Sequence, residues 1–237
     1  MIVLIKRKNA VLILLILFLS IAIFSLDSGG NPITQASTSD KGPLVIVDAG
    51  HGGEDPGKVS NYSGIAEKDL NLRIAVMLQN LLEQDGYSVI MTRTDDILCY
   101  SQGTTDITDK RRQDLTTRKK LIDTSGADIA VSIHLNDFTD PKYYGAQTFF
   151  PPDSLDSERL AVSIQKNLVS MVDPANTRVA LVKKEKIVIL KNLVVPTALV
   201  ECGFLSNQAE EEKLRQVDYQ ENLAQAVKEG IDAYFGK

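Results

Sequence analysis

Leu44-Val-Ile-Val-Asp-Ala-Gly-His-Gly-Gly53 begins with four apolar residues, three of them β-branched, and then breaks into glycines. A short, continuous apolar run that ends at a glycine-rich turn is the pattern of a strand buried on both faces, as in a parallel sheet. Gly50, Gly52 and Gly53 permit positive φ and close backbone approach, so His51 is able to turn back toward a bound group. A phosphate-cradling loop of the Walker type would end in Lys-Ser or Lys-Thr. Here the chain continues Glu54-Asp-Pro-Gly57 instead.

Following the chain from that strand, residues 67–84 carry Leu70, Ile74, Leu78 and Leu81 at helical spacing, and Gly86 follows as a stop. Residues 87–92 then read as a strand, 114–123 as a helix and 129–133 as a second buried strand. The alternation continues with a strand at 147–150 and a helix at 155–172, with Ala161, Ile164, Leu168 and Val172 on one face. A buried strand at 197–200 follows, and a last helix at 219–234 aligns Leu223, Val227 and Ile231. Such alternation implies right-handed crossovers and the α/β class: a single domain with a twisted, mostly parallel sheet and helices on both faces. Residues 178–190 hold β-branched residues around a charged centre at 183–186 and read as a hairpin or an edge strand. The polar segment 97–113 reads as a long loop that lines a groove or covers an edge.

Preceding the decisive strand, Lys6, Arg7 and Lys8 stand before an apolar run of roughly 17 residues, about 25 Å as a helix, which reads as an export signal. No clear small-x-small cleavage site stands just before Asp27, so residues 1–26 are expected to be either a signal peptide or a membrane anchor. Residues 27–42 are rich in Ser, Thr, Gly, Asn and Asp and read as a flexible linker, leaving 43–237 as the folded domain. In 237 residues there is room for one substantial core. The net charge of −5 argues against a nucleic-acid binder, which needs a basic face. Cys99 and Cys202 are too few and too far apart for a disulfide framework or a Cys-rich zinc site.

The chain has two histidines, and both fall just past the carboxyl end of an expected buried strand: His51, and His134 in Ser132-Ile-His-Leu-Asn136. In open parallel sheets those ends form the ligand crevice, so side chains about 80 residues apart are able to converge there. Glu201 ends a third such strand in Leu199-Val-Glu-Cys-Gly203, and Glu67 opens the first helix on the same rim. Two imidazoles and a carboxylate, with a fourth position for water, form an established catalytic zinc set, and a spare glutamate is suited to carry a proton. On the residues alone, Glu67 and Glu201 are interchangeable between these two roles.

Four segments in order resemble the zinc-dependent N-acetylmuramoyl-L-alanine amidases of bacterial cell-wall metabolism. They are Val45-Ile-Val-Asp-Ala-Gly-His-Gly-Gly53 with Asp55-Pro-Gly57, then Glu67-Lys-Asp-Leu-Asn-Leu72, Ser132-Ile-His134, and Leu199-Val-Glu-Cys-Gly-Phe-Leu-Ser-Asn207. The resemblance implies that His51, Glu67 and His134 bind Zn2+ and that Glu201 is catalytic. It also implies a parallel-rich α/β fold and hydrolysis of the amide between the lactyl group of N-acetylmuramic acid and L-alanine in peptidoglycan. Two departures stand out: Leu135-Asn136 replaces a common Ala-Asn, and Cys202 sits where glycine or an apolar residue is usual. Cys202 raises a rival cysteine nucleophile paired with His134, although a Cys among apolar neighbours is usually a small buried hydrophobe.

Residues 111–123, the single membrane-directing segment and the lack of a wall-binding module are similar to the spore-cortex, germination-related amidases. That subgroup strips peptides so that muramic δ-lactam can form. The rival functions are another cell-wall zinc peptidase or deacetylase, and a non-catalytic peptidoglycan-binding protein. The expected partners are peptidoglycan, the membrane through the amino-terminal segment, and an accessory protein for localisation or activation, with no nucleic acid; the expected location is outside the cytoplasm. Glu210-Glu-Glu212 reads as helix-dipole compensation after the cap Ser206-Asn207, and Lys183-Lys184 as a solvated turn rather than a contact to anionic glycan.

Overall fold

Strand β1, Leu44–Ala49, pairs in parallel with β2 (Ser88–Met91) on one side and β3 (Ile129–Asn136) on the other. The computed structural model describes residues 42–183, 188–190 and 193–237. The amino-terminal apolar run, nearly all of the linker and most of the 183–186 centre lie outside them. Strand β6 (Thr197–Phe204) joins β3 in parallel, β4 (Gln147–Phe150) runs antiparallel to β6, and β5 (Leu181–Val182) closes the edge parallel to β4. The sheet order is β2-β1-β3-β6-β4-β5. No helix among the described residues is long and apolar enough to cross a membrane.

Alternate side chains part to opposite faces of a strand. Val45, Val47 and Ala49 therefore pack with Leu70, Ile74 and Leu78 of α1 (Glu67–Gln84), Leu160 and Ile164 of α3 (Leu155–Asn167), and Leu223 and Val227 of α5 (Val217–Phe235). Each fully buried Leu or Ile there contributes roughly 1.5–3 kcal/mol, so this face anchors the fold. Ile46 faces the other way and meets Ala130, Leu199 and Ile122 of α2 (Ile107–Thr124) in a smaller cluster. By the same alternation, His134 on β3 and Glu201 on β6 lie on the α2 face.

Helix α1 starts at the rim because the loop before it supplies its caps. The Glu67 amide donates to the Lys58 carbonyl at 2.7 Å, in place of a side-chain cap from Ala66. Beyond the sheet, α4 (Gln208–Leu214) is capped by Asn207, whose side chain accepts from the Glu210 amide. Glu210 and Glu211 are buried, which corrects the reading of this run as a helix-dipole effect alone. Glu210 accepts from the amides of Gly145 and Phe204, and Glu211 from Ser60, Ser63 and Arg215.

Other differences have simple causes. No helix separates β3 from β4, so the short link returns the chain from the rim in the opposite direction and β4 is antiparallel. Strand β3 runs on to Asn136, with a register shift after His134, because the Asn136 carbonyl still accepts from the Leu205 amide. His134 and Glu201 therefore lie inside their strands rather than past the ends. Helix α2 begins at Ile107, capped by Asp106, which shortens the expected loop. The helix expected at 155–172 ends as α at Asn167 and continues as a π-turn, Leu168–Val172.

Candidate active site

The β1 ladder ends where the Gly50 amide donates to the Ile133 carbonyl at 3.0 Å, and the next residue, His51, takes a left-handed φ of 62°. A residue with a Cβ holds that conformation only where its surroundings enforce it. Two buried arginines do so. Arg118 donates from Nη2 to the His51 carbonyl at 2.8 Å and from Nη1 to the Ala49 carbonyl at 2.5 Å. Arg93 donates to the Ala49 carbonyl at 2.9 Å and to the Gly50 carbonyl at 3.0 Å. Arg118 is itself neutralised by Asp48 at 2.9 Å and Asp114 at 2.7 Å, while Asp48 also accepts from Ser132 and Thr92. Burial works to raise the Asp48 carboxyl, but Arg118 and the two hydroxyls hold it below the usual carboxylate range.

His51, Glu67 and His134 converge. One ligand atom from each lies within 4.8 Å of the others. Glu67 Oε1 stands 3.3 Å from His51 Nε2 and 3.1 Å from His134 Nδ1. Tetrahedral coordination with bonds of about 2.0–2.1 Å needs ligand atoms roughly 3.3 Å apart, so these separations fit zinc. The carboxylate is held from behind: Oε1 accepts from the Leu135 amide at 3.0 Å and Oε2 from the Lys58 amide at 2.9 Å. His51 Nδ1 meets Asp55 Oδ2 at 2.8 Å, which directs its Nε2 to the centre, and Asp55 is braced by Arg111 at 2.8 Å.

The electrostatics of the cluster also suit a cation. Burial would lower the His51 imidazole, but hydrogen bonds to Asp55 and Glu67 override it and push its pKa up to about 10. Burial would likewise raise Glu67, yet hydrogen bonds from His134 and His51 hold it well below the usual range. Close approach is secured by absent side chains. A Cβ on Gly50 would lie 2.3 Å from the His134 ring, and one on Gly57 would lie 2.5 Å from Glu67 Oε2 and 2.7 Å from the His51 ring.

Glu201 is outside that cluster of three. It sits opposite His134 in the β3–β6 register, 8% exposed, with Oε2 buried and lacking a hydrogen-bond partner among the described residues. Burial pushes its carboxyl upward, and the charges of His134 and His51 oppose that only in part. Cys202, the next residue on the strand, points to the opposite face into the main core. It is 0% exposed, and burial pushes its thiol upward. The cysteine-nucleophile reading fails on that orientation.

Sequence pattern alone assigns no role to Asp55, Arg118, Arg93 or Asp48. The available signal was Asp114 and Arg118, a charged pair at i, i+4 on the buried face of a helix, together with Asp48 at the end of an apolar strand.

A family model described as "N-acetylmuramoyl-L-alanine amidase" matches residues 45–233. The chain belongs to this amidase family. A germination-specific N-acetylmuramoyl-L-alanine amidase of Bacillus subtilis (strain 168) is 36% identical over 194 residues, covering 82% of this chain and 80% of that protein. Among solved structures, the CwlD amidase from Clostridioides difficile in complex with the GerS lipoprotein is 42% identical with a TM-score of 0.80, covering 82% of this chain and 98% of that one. An N-acetylmuramoyl-L-alanine amidase from Clostridium difficile 630 is 34% identical with a TM-score of 0.70, covering 82% and 97%. The amidase described here is a hydrolase of peptidoglycan, cleaving the amide between N-acetylmuramic acid and L-alanine.

Proposed function

We propose that the amidase is zinc-dependent, with His51, Glu67 and His134 as ligands and Glu201 as general base and acid. The convergence of the three ligand atoms within 4.8 Å is the observation that carries this reading. Bound zinc would supply a Lewis acid for the lactyl carbonyl and acidify a water. Asp55 and the Arg118–Asp48 pair fix His51, and the amides of Lys58 and Leu135 fix Glu67. Glu201, with one oxygen lacking a partner, takes a proton from the attacking water and returns it to the leaving nitrogen of L-alanine.

The biological role proposed is removal of stem peptides from spore-cortex peptidoglycan, so that muramic δ-lactam can form. The germination-specific relative and the stretch 111–123 support it. Residues 1–26 serve as signal or anchor and 27–42 as the tether of the catalytic domain. An accessory protein is proposed as well, because a relative was solved in complex with a lipoprotein.

The test is peptide release from purified peptidoglycan by the full chain, after chelation and after zinc is restored. Peptides beginning with L-alanine, released only with zinc and lost in Glu201→Gln, are the expected result. Acetate as the product would make the protein a deacetylase, and release that survives chelation would remove the metal from the proposal.

A further inference from the structure

A cavity of about 810 Å³ is lined by residues that include Arg178, Lys183, Phe149, Phe204 and Tyr143. The strand register sets its distance from the reacting groups. His134, Glu201 and Gln147 stand opposite one another on β3, β6 and β4, and neighbouring strands lie about 4.8 Å apart. Cross-strand partners share a face, so Gln147 extends to the same side as Glu201. Gln147 Oε1 accepts from Arg178 Nη1 at 2.8 Å, and its Nε2 donates to the Val179 carbonyl at 2.9 Å. Gln147 lies roughly 10 Å from His134, two strand spacings away, and Arg178 is one hydrogen bond beyond the end of its side chain.

The guanidinium is rigidly placed. Its Nε donates to the Tyr144 carbonyl at 2.6 Å and its plane lies over the Phe204 ring, 4.6 Å from the centroid. The Lys183 ammonium lies over the Phe149 ring at 4.4 Å, a second cation stacked on a phenyl wall of the same cavity. Asp137 also lines the cavity, but it is paired with Lys58 at 3.1 Å. The described hydrogen bonds of Arg178 use Nε and Nη1, which leaves Nη2 to donate to a ligand. Burial also works against this cation, the condition that a bound carboxylate relieves.

The chemistry of the substrate selects the occupant. With its lactyl carboxyl spent in the scissile amide, the muramic acid unit brings no anion, so ionised carboxylates lie on the peptide side. An extended peptide advances about 3.5 Å per residue, so a span of roughly 10 Å reaches the second or third residue beyond the scissile bond. We infer that Arg178 is a specificity residue that binds a free carboxylate on the second or third residue of the stem peptide, with Lys183 as a supporting charge. The inference rests on the amidase reading above and names the class of peptide which that site prefers.

The test uses the full-length zinc-loaded protein and three muramoyl-tripeptides: one with its carboxylates free, one amidated at the second residue and one amidated at the third. The wild-type protein is expected to show a KM at least tenfold higher for one of the amidated substrates, with kcat little changed. Arg178→Met is expected to bring that KM ratio close to one, and Arg178→Lys to retain part of it. Lys183→Met, on the exposed edge, is expected to reduce the ratio without removing it. Equal KM values for all three substrates in the wild type would overturn the inference. So would a ratio that survives intact in Arg178→Met. Failure to cleave any of the three would count against the zinc-amidase reading instead. Equilibrium binding of the free and amidated tripeptides to the Glu201→Gln protein then reads the carboxylate preference independently of turnover.

Discussion

The guanidinium of Arg118 donates at 2.8 Å to the main-chain carbonyl of His51, a residue held at φ 62°. One end of this side chain therefore fixes a strained backbone, while the other is neutralised by Asp48 and Asp114. Arg118→Met is expected to destabilise the protein by about 3–5 kcal/mol, because Asp48 is left buried without its partner. Arg118→Lys should recover little of this, since an ammonium cannot span the same carbonyls and carboxylates as a guanidinium. Urea denaturation of the three proteins measures the effect.

The Asp48 carboxyl sets the behaviour in acid. Its folded-state pKa lies below the ordinary value, so its stabilisation is present above the unfolded pKa and is lost as pH falls through the folded one. Wild-type stability should decline below about pH 4. Asp48→Asn is expected to be less stable at neutral pH and to show a flatter decline in acid. Urea midpoints measured between pH 2.5 and 7 check this.

Glu201 has the opposite sign. Burial raises its folded-state pKa, so ionising it opposes folding, and that cost appears as pH rises above the unfolded value. Glu201→Gln should lower turnover by about a thousandfold. In metal-free protein it should raise stability at pH 7 by about 1 kcal/mol, with the gain vanishing near pH 4. Equal urea midpoints for the two proteins at both pH values would remove the assigned strain.

Two glycines separate crowding from backbone strain. Gly57→Ala brings a Cβ to 2.5 Å from Glu67 and 2.7 Å from His51, whereas Gly64, also at positive φ, has nothing within 4 Å. Both should lose about 1 kcal/mol from φ strain. Only Gly57→Ala should weaken zinc binding, by about tenfold or more. Competition with a chromophoric chelator distinguishes the two outcomes.

Thiol accessibility should divide the cysteines. Cys99 is half-buried and Cys202 fully buried, so a thiol reagent should modify one cysteine in the native protein and both in urea, leaving activity intact in the first case. Cys202→Ser places a hydroxyl in the apolar face and should cost about 1–3 kcal/mol by thermal denaturation.

The parts of this structure that could be read from the chain are those with a single cause. Residues 44–47 had to be a buried strand because nothing polar interrupts them, and two histidines, each close after an apolar run, left little choice of centre. Where two causes compete, sequence falls short. Asp48 and Arg118 stand 70 residues apart and nothing in the chain marks them as a buried ion pair, and the π-turn at Leu168–Val172 leaves no period of its own. The direction of β4 depends on a missing helix, which a strand pattern does not record. On the residues alone Glu67 and Glu201 are interchangeable; the folded chain brings a Glu67 oxygen within 4.8 Å of both histidine ring nitrogens, while Glu201 stands across the strand register from His134.

The pairing of Val45 with Ile129 and of Ala130 with Thr197 has a kinetic consequence. Each brings together segments distant along the chain, and such high-contact-order pairings form late and slowly. No fragment of the chain carries His51, Glu67, His134 and Glu201 in working order before those closures are made. Activity against the wall is therefore expected to wait on both closures, so that a partly folded molecule spares the cell that makes it.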